Sequence, residues 1–324
     1  MKTNLIIGAG QLGSRHLQGL LNSDIAQEIY VLDPSVESLN IAKERAKEFL
    51  NRYNVHYISD WSTLPDKFDL AIIATGANVR RQVIEQLLHG YNVNYLILEK
   101  VLFQDLQSYS DISDLIKEKS IPTWVNHPRR MFDYYRRIRA SILTNDSPAM
   151  INIVGANWGL GCNGLHFIDM CTYITGSPVS SINCEWIENT IIDSKRSGYK
   201  EFIGTLTGTL KNNSCFSISS LKGESNLLSI FISIGSDNWV IEEGANPTLF
   251  YQQVGFPNST HKESLSIDFQ SKLTSRLAED ILKRGTCLLP TYEEACSSHL
   301  PFIKTLLQKY NSITGLESNI CPIT

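Results

Sequence analysis

Lys100 and Glu99 stand side by side in "LILEKVL", at the end of the apolar run 96–98. An amine and a carboxylate at the end of a buried strand face a ligand crevice, where a lysine is suited to exchange a proton with a substrate hydroxyl. A solvated strand-end ion pair is the plain alternative. A second group of reactive types lies in "WGLGCNGLHFIDM", residues 158–170. Here His166 follows Cys162 by four residues and Asp169 follows His166 by three, which on a helix stacks them about one turn apart. Taken by itself, His166 reads as a satisfied structural histidine or as a functional one. Cys162 either acts as a base or nucleophile or packs as a small apolar residue. Asp169 orients a neighbour or caps backbone, Asn163 is expected to cap a helix with Gly164 admitting a ligand, and Trp158 is placed to stack on a ligand ring. In "NHPRRMF", Arg129 and Arg130 carry guanidinium forks that match a phosphate or carboxylate, with ion pairing on a helix surface as the alternative. Arg15, His16, Arg136 and Arg137 read as structural or solvated.

The strongest motif is "GAGQLG", with Gly8, Gly10 and Gly13 after an apolar strand and before a helical stretch. Gly8 permits a tight turn, Gly10 lets the backbone approach a pyrophosphate, and Gly13 allows close helix packing; the helix N-terminus favours the anion. Asp33 ends the next strand, 20 residues past Gly13. Its carboxylate suits an adenosine ribose and repels a 2′-phosphate, and "DPSVES" has no Arg or Lys beside it. NAD is therefore expected in preference to NADP.

Apolar runs at 5–7, 29–33, 55–58, 70–75, 95–100 and 122–126 alternate with amphipathic stretches. In "NVRRQVIEQLLHG", Val79, Val83, Leu87 and Leu88 fall on one face and Gly90 supplies the stop. Such alternation predicts a parallel sheet covered on both faces, binding ligands at its strands' carboxyl ends. From "RRMFDYYRRIRASIL" onward the pattern changes. After "MINIVGANW" and the His166 helix come "SSINCEWIENT", "EFIGTLTGTL", "SCFSISSL", "LLSIFISIG" and "NWVIEEG", several of them alternating apolar with polar. The expected architecture is α/β. A dinucleotide-binding domain over 1–124 precedes a second α/β domain over 125–324 built on a largely antiparallel open sheet. The tail from 290 reads as a closing helix that Pro301 bends or restarts.

The 324 residues are 42% hydrophobic with a formal net charge of −4, enough for two cores and without the long basic run that a nucleic-acid backbone requires. Seven cysteines, an odd number without CxxC pairs, fit neither a disulfide framework nor a zinc knuckle, so a reducing cytoplasm is expected. No run reaches the ~18 apolar residues of a membrane span, and nothing in "MKTNLIIGAG" is expected to direct export.

Taken in order, GAGxxGxxH at 8–16, Asp33, "ATGAN", "EK", "RRMFDYYRRIR" and a GxHxxD pattern (Gly164, His166, Asp169) resemble the glucose-fructose oxidoreductase / inositol dehydrogenase (Gfo/Idh/MocA) family. The resemblance runs the whole chain, since "ILKRGTCLLPTYEEA" is similar to that family's closing segment. It implies an N-terminal Rossmann domain and a C-terminal α/β domain whose sheet often forms a homo-oligomer (dimer or tetramer) interface. It implies an enzyme that oxidises or reduces a carbinol of a sugar, cyclitol or nucleotide sugar with NAD(P), surface-polysaccharide precursors being a common niche. A catalytically silent NAD-binding regulator or scaffold is the rival. The resemblance assigns catalysis to Lys100 and His166 and places Gly8, Gly10, Gly13, Asp33, Thr75, Asn78 and Glu99 around the cofactor. Four positions depart from the family pattern. Val101 follows the Lys where a Pro is usual, Gly76 stands for another Pro, Arg80 for a His, and Cys162 for the acid four residues before the catalytic His.

Overall fold

The computed structural model describes residues 1–49, 52–145, 147–224, 227–252 and 260–324. In chain order its first elements are β1 (Lys2–Ile7), α1 (Gln11–Leu21), β2 (Gln27–Leu32), α2 (Val36–Ala46), β3 (Asn54–Ile58), β4 (Lys67–Ile73), α3 (Ala77–Gly90), β5 (Asn92–Leu98), α4 (Gln107–Glu118) and β6 (Thr123–Val125). Next come α5 (Asp133–Ile142), β7 (Ala149–Ala156), α6 (Leu160–Thr175), β8 (Val179–Asp193), β9 (Lys200–Leu210), β10 (Cys215–Leu221), β11 (Leu228–Ile234), β12 (Asp237–Glu243), β13 (Thr248–Gln252) and β14 (His261–Ser264). Two helices close the chain, α7 (Gln270–Arg284) and α8 (Tyr292–Thr314). They fall into two compact units. The first comprises Met1–Phe103, Gln107–Pro128 and Asp268–Glu293; the second comprises Gln104–Leu106, Arg129–Ile267 and Glu294–Thr324.

The first unit holds six parallel strands in the order β3-β2-β1-β4-β5-β6. Its central strands are apolar throughout because helices cover both faces: Leu5, Ile6, Ile72, Ile73, Leu96 and Ile97 are fully buried. The order reverses at β1 and β4, which is where a sheet of this kind opens a crevice at its carboxyl ends. The α3 face is turned by about one residue from the sequence expectation. Ala77, Arg80, Ile84, Leu87 and Leu88 are inside, whereas Val79 is 39% exposed. The reason is that the Arg80 guanidinium is drawn inward by backbone carbonyls, as described below. Gly90 is itself helical, and Tyr91, extended, ends the helix.

A late segment, Asp268–Glu293, joins the first unit. Its helix α7 lies against α1, and the approach is close enough that only glycine fits at 19. A Cβ there would stand 2.5 Å from both the Ser271 carbonyl oxygen and the Thr274 Cβ.

The second unit is built on eight strands, order β14-β13-β12-β11-β7-β10-β9-β8, antiparallel except for the β7–β10 pair. Alternation gives it one buried face, including Ile151, Ile153, Ile218, Ile230, Ile232 and Ile241. The other face is mostly Thr, Ser and Asn, tied sideways by Ser181–Thr209 (2.8 Å), Thr205–Ser219 (2.8 Å) and Ser217–Asn152 (2.7 Å). Among these small polar residues stand Met150, 55% exposed, and Phe231, 44% exposed. The closing helix α8 runs through Pro301 as one element.

Replacing Gly19 with Ala should destabilise the protein by roughly 1–3 kcal/mol, the usual cost of overpacking a tight contact. Gly90→Ala, whose Cβ meets nothing within 4 Å, should instead raise stability by about 0.5–1 kcal/mol. Urea titration of the two variants checks the contrast.

Candidate functional site

The glycine turn follows β1. Gly8 has φ +97°, and a Cβ on it would lie 2.9 Å from the backbone of Ala74 and Thr75. A Cβ on Gly13 would stand 1.7 Å from the Gly8 carbonyl oxygen, so α1 can begin this close to β1 only with glycine there. Gly10, by contrast, faces open space and forms the N-cap of α1 without a side-chain cap. The first turn of α1 contains no acidic residue, so its N–H groups suit an anion. Asp33 closes the turn: its Oδ2 accepts from Ala9 N at 2.7 Å and its Oδ1 from Ser35 N at 2.8 Å. Arg45 was not considered in the sequence reading because it lies 12 residues further on, yet α2 brings it to the turn. There it donates to Ser14 Oγ and Gln11 Oε1, both at 2.6 Å.

At the end of β5, Glu99 is 3% exposed. Its Oε1 accepts from Asn126 Nδ2 at 2.6 Å and bonds His16 Nε2 at 2.9 Å. The other His16 nitrogen meets Thr274 Oγ1 at 2.8 Å, and Asn126 also reaches Gln270 Oε1 at 3.0 Å. Burial by itself would raise the Glu99 pKa, but hydrogen bonding and charge from His16, with Asn126 and Arg80 adding to them, bring it below the ordinary carboxylate value. The next residue, Lys100, is half-buried, and its peptide bond to Val101 is cis. Arg80, 2% exposed, donates to the carbonyls of Val101, Leu102 (3.0 Å) and Thr75. Thr75 is half-buried and Asn78 is exposed, both beside the N-terminus of α3.

In the second unit, α6 starts earlier than expected. Gly159, at φ +81°, is its N-cap, so Asn163 lies inside the helix and uses its side chain on the Trp158 carbonyl at 2.6 Å. The cap is a carboxylate from another strand. Glu201 on β9, 6% exposed, accepts from Gly161 N at 2.7 Å and Cys162 N at 3.0 Å. Gly159 and Gly161 make room for it, since Cβ atoms there would lie 2.9 and 3.1 Å from its oxygens. Gly164 admits no ligand: it packs under the Phe302 ring.

Arg130 and Asp169 form a buried fork, with Nη2 to Oδ1 at 2.8 Å and Nε to Oδ2 at 3.0 Å, so that the carboxylate orients its neighbour. Arg129 pairs with Glu243 at 2.6 Å and lies over the Phe167 ring. Each guanidinium is paired with a carboxylate, as burying an arginine requires. Trp158 and Cys162, however, line a cavity of about 330 Å³ together with Asn157, Asn163, Ser194 and Glu201. The Trp158 indole is fixed by its bond to the Ser219 carbonyl at 2.8 Å and by edge contact with Phe167. His166 is half-buried, one turn along α6 from Cys162.

Residues 2–127 match the family described as "Oxidoreductase family, NAD-binding Rossmann fold", GFO_IDH_MocA. Residues 2–127, which carry the six parallel strands, are a Gfo/Idh/MocA Rossmann domain. Solved structures share the fold over nearly the whole chain. An oxidoreductase from Agrobacterium radiobacter, solved with NAD+, L-tartaric acid and magnesium, is 15% identical at a TM-score of 0.72, covering 97% of this chain and 99% of its own. UDP-N-acetylglucosamine 3-dehydrogenase GnnA from Acidithiobacillus ferrooxidans is 15% identical at 0.68, covering 95% and 97%. The transcriptional regulator Gal80p from Kluyveromyces lactis is 17% identical at 0.72, covering 96% and 92%. No curated protein sequence matches the chain.

The Cys162 backbone N–H is taken by a carboxylate from β9, that of Glu201. Sequence reading missed Glu201 because its target lies 39 residues upstream; its only trace was the glycine content of "WGLGC". Removing it as Glu201→Ala should cost roughly 1–3 kcal/mol, the usual result of stranding buried donors. Glu201→Gln, which keeps one acceptor, should cost less. Chemical denaturation of both variants measures the difference.

Proposed function

We propose that the protein is an NAD-dependent dehydrogenase or reductase acting on a carbinol or ketone of a sugar, cyclitol or nucleotide sugar, including surface-polysaccharide precursors. The observation that carries this reading is the end of β5, where Lys100 follows a carboxylate locked by His16 and Asn126. A proton-transfer group must be held still to be effective, and a buried, fully bonded neighbour in the chain does that.

The glycine turn fits a dinucleotide: Gly10 opens onto free space at an uncapped helix start, and Gly8 and Gly13 permit the close approach of β1 and α1. Gly8, Gly10, Gly13, Thr75 and Asn78 would hold the cofactor, and Asp33 would take the ribose hydroxyls, favouring NAD over NADP. When bound, the nicotinamide supplies the acceptor or donor of hydride. Lys100 takes the hydroxyl proton as the carbinol is oxidised and returns it in reduction. His166 orients the substrate, and Trp158 and Cys162 line the pocket that receives it. Arg129, Arg130, Asp169 and Glu99 support these groups from within the fold.

The rival reading is a silent NAD-binding regulator. It is favoured by one specific observation, Cys162 at the acid position, and supported by the likeness to Gal80p. Turnover decides between them. With NAD and a panel of sugars, cyclitols and nucleotide sugars, the protein should form NADH, and Lys100→Met should bind NAD unchanged while losing turnover. Cofactor binding without turnover of any member of the panel would favour the regulator, and full turnover by Lys100→Met would remove Lys100 from the chemistry.

The reading extends to assembly and location. We place a second copy of the chain on the uncovered face of the eight-stranded sheet, in a dimer or tetramer, because Met150 and Phe231 are apolar and exposed there. The seven free cysteines suit a reducing cytoplasm. Among the described residues no helix is long and apolar enough to cross a membrane. Light scattering on wild type and Phe231→Glu checks the assembly: the variant should be monomeric, and an unchanged mass would move the interface elsewhere.

A further inference from the structure

Two of the four departures from the family pattern, Arg80 and Val101, meet at one side chain, and a third, Gly76, caps its helix. Arg80 sits in the first turn of α3 with Gly76 as N-cap, and it is 2% exposed. A cation in the first turn opposes the helix dipole, and burying a guanidinium is costly unless its donors are bonded. Neither helix nor core therefore accounts for it. What its donors reach does: the carbonyl of Thr75 on the loop after β4, and the carbonyls of Val101 and Leu102 on the loop after β5. The two loops belong to neighbouring parallel strands, paired from Lys67 to Ile73 against Asn92 to Leu98. Beyond these last paired residues the ladder no longer holds them, and one planar fork bridges the gap. One residue before the bridged Val101 is Lys100, and one before that is Glu99, already fixed by His16 and Asn126.

We propose that Arg80 is a positioning residue for Lys100, clamping the loop that carries it from the C-terminal side as the Glu99 cluster clamps it from the N-terminal side. This rests on the reading of Lys100 as the proton-exchanging group. It assigns the rigidity that a proline imposes by fixing φ to hydrogen bonds instead. The geometry requires arginine, because a guanidinium presents several donors in one plane whereas a lysine ammonium is a point charge on a flexible stem.

The test compares Arg80→Lys, Arg80→Met and the double variant Arg80→Met/Val101→Pro with wild type, all saturated with NAD. The rate of reductive dimethylation at Lys100, followed by peptide mass spectrometry, reads the loop directly and needs no substrate. Both single variants should label Lys100 about threefold faster or more, as a segment opens more often once its fixing bonds are lost, with the other lysines unchanged. The proline should bring the rate back toward wild type. On a turned-over substrate, Arg80→Met should lower kcat by on the order of 100-fold, the effect of a misplacement of about 1 Å, with NAD affinity retained and KM little altered. Should Arg80→Met fail to fold, Arg80→Lys carries the comparison. Unchanged Lys100 labelling in variants that still bind NAD overturns the proposal. Faster labelling in a protein that turns over no carbinol leaves the clamp standing and removes the proposed function.

Discussion

The first unit depends on a carboxylate kept away from water. Glu99, at the end of a central strand, is held by a histidine from α1 and an asparagine from beyond β6, and that histidine is held in turn by a threonine from α7. Four segments distant in sequence are thereby joined at one point. A buried charge is tolerated only when its bonds are made, so each partner is constrained by the need to satisfy the same group. The result is a rigid end to β5, and the lysine that follows inherits the rigidity. The glycine turn beside it is fixed by the opposite device, the absence of side chains, which lets the α1 backbone lie against β1 at a distance no other residue allows.

The second unit uses the same two devices together. Glu201 from β9 enters the first turn of α6 and takes the N–H groups of Gly161 and Cys162, while Gly159 and Gly161 leave it the space. A helix start often holds a ligand's anion; here the protein's own carboxylate occupies it. The negative charge beside Cys162 therefore comes from a strand distant in sequence. The paired arginines on the way into α5 follow the same economy of charge, each bonded to an internal carboxylate.

Much of this was legible in the sequence wherever a local pattern carried the information. "GAGQLG" after an apolar run and before a helix specifies its turn because each glycine answers a local steric demand, and Asp33 lies where the second strand must end. The alternating strands from "MINIVGANW" to "NWVIEEG" also specify their own faces. What escaped was set by long-range partners. Arg80 looked like a polar residue on an amphipathic helix, since hydrogen bonds to carbonyls leave no sequence pattern. The need for glycine at 19 comes from α7, whose residues lie far along the chain in "FQSKLTSRL". Asn163 resembled a cap because Glu201, the actual cap, is distant. Arg129 and Arg130 looked available because their carboxylates lie 114 and 39 residues away.

The central claim is that hydride passes between nicotinamide and a carbon bearing oxygen in a sugar-like molecule. Its most direct test is isotopic. NADH carrying deuterium at C4 is incubated with the protein and oxidised sugars, cyclitols and nucleotide sugars, and the products are examined by mass spectrometry. The account expects deuterium at the newly formed carbinol carbon of at least one product. Saturable NADH binding with no deuterium in any product would contradict it.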